Sequence, residues 1–158
     1  MEVEKGTAKR AGICGIILMI CGVASTISGF IWISIHGFGG FGVWSGIGLV
    51  IAGILGLLTW WKRHKRLLNG FLVITIIMVI VATSQAIASG VFYVVFKGHQ
   101  CYDSGSSCVC GSETYERSFC NNLNDLIIEL LTITICNAVG AVSSLAGSIF
   151  GCMGTCCA

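Results

Sequence analysis

Four long stretches of this chain carry almost no ionisable side chain, and the charged residues gather between them. No Asp, Glu, Lys, Arg or His occurs from Ala11 to Ile35, from Gly37 to Trp61 or from Leu130 to Ala158, and Lys97 is the one such residue from Leu67 to Gly98. A hydrocarbon core about 30 Å thick takes about 20 helical residues to cross. The pattern therefore predicts an all-α, four-helix transmembrane bundle in one domain, with spans at 12–35, 43–61, 67–94 and 126–150. The runs lack the strict alternation of membrane barrel strands. The first follows Lys9 and Arg10, as a signal peptide would, but it far exceeds the ~7–15 residues of a cleaved apolar core and reads as a retained helix.

Composition strengthens this reading. Of 158 residues, 55% are hydrophobic and 10% charged, and mean hydropathy is +0.91. Soluble domains carry about 25% charged residues, so these charges are too few to coat a surface facing water. A formal net charge of +2 leaves no footprint for nucleic acid. The 22 Gly and absence of Pro fit closely packed, unbroken membrane helices.

Charge placement sets an orientation. Lys5, Lys9 and Arg10 precede the first run, and Lys62, Arg63, Lys65 and Arg66 separate the second from the third. By the positive-inside rule both termini are expected in the cytosol. Five of the seven acidic residues (Asp103, Glu113, Glu116, Asp125 and Glu129) then lie outside. Lys62, Arg63, Lys65 and Arg66, with His64 among them, form the one basic cluster. It serves as a topology anchor, with an anionic-lipid site as the alternative. Trp60 and Trp61 sit where an interfacial aromatic belt belongs. Acidic Asp125 and Glu129 suit the N-terminal dipole of the fourth helix.

Only the segment 97–125 is long enough for an extramembrane structure. It holds Cys101, Cys108, Cys110 and Cys120 on the expected oxidising side, which reads as a disulfide-stapled loop. A bridge from Cys108 to Cys110 is strained by its spacing. That leaves 101–108 with 110–120, or 101–110 with 108–120. A metal site on His99, Cys108 and Cys110 is the competing reading, but its spacing matches no standard zinc pattern. No Asn-x-Ser/Thr sequon occurs. Cys14, Cys152, Cys156 and Cys157 fall near the inner leaflet and are candidates for S-palmitoylation, with plain thiols as the alternative. Cys21 and Cys136 lie deeper and read as packing residues.

Small residues recur at four-residue spacing. Gly42 with Gly46, then Gly48, Ala52 and Gly56, mark the second helix, and Ser143, Gly147 and Gly151 mark the fourth. This spacing lets helices approach closely, either within one bundle or between subunits. Thr83, Ser84, Gln85 and Asn137 are the polar groups deep in the spans. They read as interhelical hydrogen-bonding groups, or else as a pore lining.

No catalytic motif, phosphate loop or paired membrane carboxylates appear, and the three His are scattered, so neither an enzyme nor a cofactor is expected. From Phe41 to Lys97 the chain resembles the membrane-spanning four-domain family, which includes the B-lymphocyte antigen and the beta chain of the high-affinity IgE receptor. The resemblance rests on a very short first outer loop leading into Val43-Trp44-Ser45-Gly46-Ile47, a Gly-rich second helix, a short basic link and Leu68-Asn69-Gly70. A disulfide-closed second outer loop also fits. The proline of the family's entry motif is absent. The resemblance implies a plasma-membrane organiser or receptor-associated accessory subunit that associates with itself and with other membrane proteins. An oligomeric ion channel is the alternative, and a junction or adhesion component a further one.

Overall fold

The computed structural model describes residues 3–36, 40, 42–98 and 100–156. Four long helices dominate: α1 (Lys5–His36), α2 (Val43–Lys62), α3 (Lys65–Gly98) and α5 (Leu123–Cys156). All four are long and apolar enough to cross a membrane. Their length and composition make this an integral membrane protein, and each predicted span lies on its own helix.

The helices overrun the predicted spans, with α1 starting at Lys5 and α5 running from Leu123 to Cys156. Hydropathy locates the part that lipid wants. The helical hydrogen-bond ladder continues through the polar flanks, because no proline interrupts it. At 1.5 Å per residue, α1, α3 and α5 are each about 50 Å long, whereas α2 is only about 30 Å.

Helices α1 and α3 each pack along both α2 and α5, while α2 and α5 barely touch across the diagonal. This is the ring that short links between antiparallel neighbours produce. Its tightest seam joins α1 to α2. A methyl group built on Gly15 would lie 2.8 Å from the Gly53 carbonyl oxygen, and one on Gly22 would lie 2.7 Å from that of Gly46. Across α3 and α5, the Phe71 ring presses on Gly147, and Leu72 on Gly151. Leu18, Leu49, Ala52, Leu68 and Phe71 are fully enclosed between these seams.

The small-residue faces are thus filled from within the chain. Gly46, Ala52 and Gly56 are buried, Met78 covers Gly48, and Ser143 is 8% exposed. Of the two readings that the spacing left open, packing within one bundle accounts for these residues. Spacing of small residues shows that some backbone comes close, not whose backbone it is. Gly42 caps the start of α2, and a methyl there would lie 2.8 Å from the Ser25 carbonyl oxygen.

Between α3 and α5 the chain forms a three-stranded antiparallel sheet, β1 (Cys101–Asp103), β2 (Ser107–Cys110) and β3 (Glu113–Glu116), followed by the short helix α4 (Arg117–Asn121). Gly111 opens the two-residue turn between β2 and β3 at φ 65°, where a hairpin needs a residue free to adopt positive φ.

Candidate functional site: a stapled outer cap and a buried polar node

The sheet and α4 form a cap over one end of the bundle. Disulfides join Cys101 to Cys110 and Cys108 to Cys120, which is one of the two pairings that the sequence left open. Cys101 and Cys110 stand opposite each other in the β1–β2 register with Cα atoms 4.2 Å apart. Cys108–Cys120 instead ties β2 to α4, across 5.6 Å. Both Cys108 and Cys110 are consumed in these bonds, so neither offers a thiolate to a metal. His99, the third ligand of that reading, lies outside the described residues.

A segment this short cannot make a core alone, so it borrows one. Phe119 is 1% exposed, stacked on Tyr115 at 4.6 Å and tilted against Phe96 of α3 at 5.3 Å. Trp32 of α1 meets Phe96 at 6.4 Å. The disulfide sulfurs, Leu126 and Leu130 complete this cluster. Aromatic pairs at such separations contribute about 0.5–1.5 kcal/mol beyond area burial. On the surface, Arg117 donates to Asp103 at 3.1 Å, joining α4 to β1. Tyr102 projects outward, 61% exposed.

Below the cap lies a polar node. The Asn137 side-chain amide donates to the Ser25 hydroxyl at 3.0 Å and to the Ile133 carbonyl at 2.8 Å. Ser25 in turn donates to the Gly42 carbonyl at 3.1 Å, which also accepts the first helical bond of α2 from Gly46 N–H at 2.8 Å. Ser25 and Asn137 are completely buried. Gly42 holds φ 85°, so α2 starts abruptly, level with Ser25. Eleven residues of α1, about 16 Å, rise beyond that level. A helix start this far down needs its backbone groups satisfied by protein; the Val43 N–H donates to the Gly40 carbonyl at 3.2 Å, and Ser25 adds a second bond to the Gly42 carbonyl. Ser25 escaped the sequence analysis. Its only signal there is its place in the hydroxyl-rich stretch Ser25, Thr26 and Ser28 of an otherwise apolar run.

The node yields a prediction. In a double-mutant cycle on Ser25→Ala and Asn137→Ala, thermal unfolding in detergent should show a coupling of about 0.6 kcal/mol and at most about 1.7. Strictly additive effects would mean that the two side chains do not act together.

The other pore candidates do not join Asn137. Thr83 and Ser84 are exposed on the outside of α3 and bond back to their own helix, at the carbonyls of Val79 and Ile80. Gln85 is half-buried, and its enclosed Nε2 has no hydrogen-bond partner among the described residues. Successive residues on a helix point about 100° apart, so three in a row cannot line one lumen. The single bundle does not assemble the predicted lining. A different pair closes α3 onto α5, in which Thr134 donates to Ser89 at 2.9 Å.

At the opposite end, the basic link is a tight corner. Arg63 takes a left-handed conformation, φ 47°, and its N–H caps α2 on the Thr59 carbonyl. The Arg63 carbonyl accepts the Val3 N–H at 2.9 Å, which ties the chain's start to this corner. Thr7 approaches Gly154, and Arg10 lies over the Phe150 ring at 5.4 Å. Both ends of the chain therefore share one end of the bundle with Lys62, Lys65 and Arg66.

The lipidation candidates separate. Cys152 and Cys156 are exposed one helical turn apart, with sulfurs at 3.8 Å. Cys157 lies outside the described residues. Cys14 is corrected: at 8% exposure it packs in the inner core and presents no thiol for acylation. Cys21 on α1 and Cys136 on α5 are half-buried free thiols.

Fold and site together define a four-helix integral membrane protein with a disulfide-stapled cap. The chain matches no protein-family model and no characterised protein.

Proposed function

We propose that this protein is a non-enzymatic membrane organiser or receptor-associated accessory subunit of the plasma membrane, built like the membrane-spanning four-domain family. Seven of the nine basic residues lie at the end holding both termini, so this end faces the cytosol and the cap faces out. Disulfides in the cap agree with an oxidising exterior.

The observation that carries the reading is the cap itself. Two disulfides and an aromatic cluster hold about twenty residues rigid on the bundle, and their outer side presents Tyr102 with the Asp103–Arg117 pair. A rigid, charged and aromatic surface suits recognition of another extracellular surface.

A photo-crosslinking residue at Tyr102, compared with one at Val142 on the outer surface of α5, tests this in intact cells. A defined set of membrane proteins captured from Tyr102, and lost with Cys108→Ser and Cys120→Ser at unchanged surface level, is the expected outcome. Absence of capture, together with ion flux in liposomes that Gln85→Leu alters, would replace this reading with an oligomeric channel.

A further inference from the structure

Helix α5 turns one apolar stripe outward, and the stripe ends in two thiols. Val142, Leu145, Ile149, Cys152 and Cys156 follow at steps of three or four residues, the spacing of a single helix face, and all five are exposed. The opposite face holds Ser144, Gly147 and Gly151, which are buried. From Val142 to Cys152 the stripe is about 15 Å long. That is the depth of one leaflet in a hydrocarbon core about 30 Å thick.

The two thiols stand where the hydrocarbon ends. Gly154, between them in the chain, meets Thr7 of α1 and Leu68 of α3. Cys152 and Cys156 are therefore level with Lys5, Lys9, Lys65 and Arg66, basic side chains that mark a headgroup zone. Their sulfurs are 3.8 Å apart, about the separation at which two carbon chains touch. Cys14, toward the same end of the bundle, shows the contrasting use of a thiol, since it is enclosed in the inner core.

We infer that Cys152 and Cys156 are acceptors for long-chain fatty acyl groups, whose chains then lie side by side along Ile149, Leu145 and Val142. The inference rests on the orientation proposed above, which puts both thiols on the reducing, cytosolic side. Each sulfur attacks the carbonyl carbon of a long-chain acyl-coenzyme A thioester. A C–S bond forms at Sγ, the bond from that carbon to the coenzyme sulfur breaks, and the cysteine proton passes to the departing coenzyme A thiolate. Nothing is oxidised or reduced. Juxtamembrane thiols on a helix are suited to this modification, and here the stripe above them keeps an attached chain in hydrocarbon for the whole depth of its leaflet.

The test expresses the full chain with Cys157→Ser in cells, blocks its unmodified thiols, and exchanges thioester-linked acyl groups for a mass tag with hydroxylamine. One or two tags per chain are expected, at most one with either Cys152→Ser or Cys156→Ser, and none with both. Cys14→Ala should leave the tags in place. Absence of tags from the chain that keeps both thiols overturns the site, and so do tags that survive the loss of both. A membrane-impermeant form of the tag checks the orientation separately. Tagging only after permeabilisation is expected, whereas tagging of intact cells would overturn the cytosolic placement of these thiols.

Discussion

Replacing Gly53 by alanine is expected to destabilise the bundle by about 1–3 kcal/mol, and leucine there should prevent its assembly. The added carbon would lie 2.7 Å from the Gly15 carbonyl oxygen and 2.8 Å from the Met19 nitrogen. Both are backbone atoms of α1, so no rotamer change can relieve the overlap, and the two helices must part. Their separation would also pull Gly22 from Gly46 along the same seam. Gly70 on α3 is the control, because a methyl there meets nothing within 4 Å. Gly70→Ala should stabilise by up to about 1 kcal/mol, since glycine is a poor helix former. Thermal unfolding followed by size-exclusion chromatography in detergent gives both numbers. Two alanine variants that shift the midpoint in the same direction would refute the close seam.

Loss of the Cys108–Cys120 bond should unfold the cap and leave the bundle standing. The bond closes a segment of 12 residues, and loops of about this length lose about 3 kcal/mol of constraint when the bridge is removed. Three strands of three to four residues have no stability of their own to offset that. Freed from β2, α4 would carry Phe119 out of its contact with Phe96. Cys101–Cys110 should matter less, because the β1–β2 ladder already holds those residues opposite each other. Hydrogen exchange resolved by residue should show residues 101–122 unprotected in Cys108→Ser/Cys120→Ser, largely protected in Cys101→Ser/Cys110→Ser, and the four long helices unchanged in both. A reversed order of the two double variants would contradict the view that the tie between sheet and α4 holds the cap together.

The long helices and the disulfide loop were legible in the sequence for a simple reason. Transfer into lipid is a sum over local residues, so the run from Leu67 to Phe96 announces a helix whatever surrounds it. Four cysteines within twenty residues likewise announce a staple. Legibility stopped where a residue's meaning depends on what faces it. Gly48 and Ala52 looked as fit for a dimer as for a bundle, and only the placement of α1 and α3 against them decides. Thr83, Ser84 and Gln85 form a polar run on paper but point in different directions on the helix.

By itself the sequence determined that the chain crosses a membrane four times as helices, which end carries the basic residues, and where the cysteines of the cap lie. These follow from hydrophobicity, charge and composition, which are properties of each segment alone. Tertiary structure decided the pairing of Cys101 with Cys110 and of Cys108 with Cys120. It also decided the burial of Cys14, the hydrogen bond between Ser25 and Asn137, and the aromatic seat that Trp32 and Phe96 give the cap. Each of these joins residues far apart along the chain or chooses among near-equivalent local partners, and such a choice is made by packing, where one geometry fills the space between the helices.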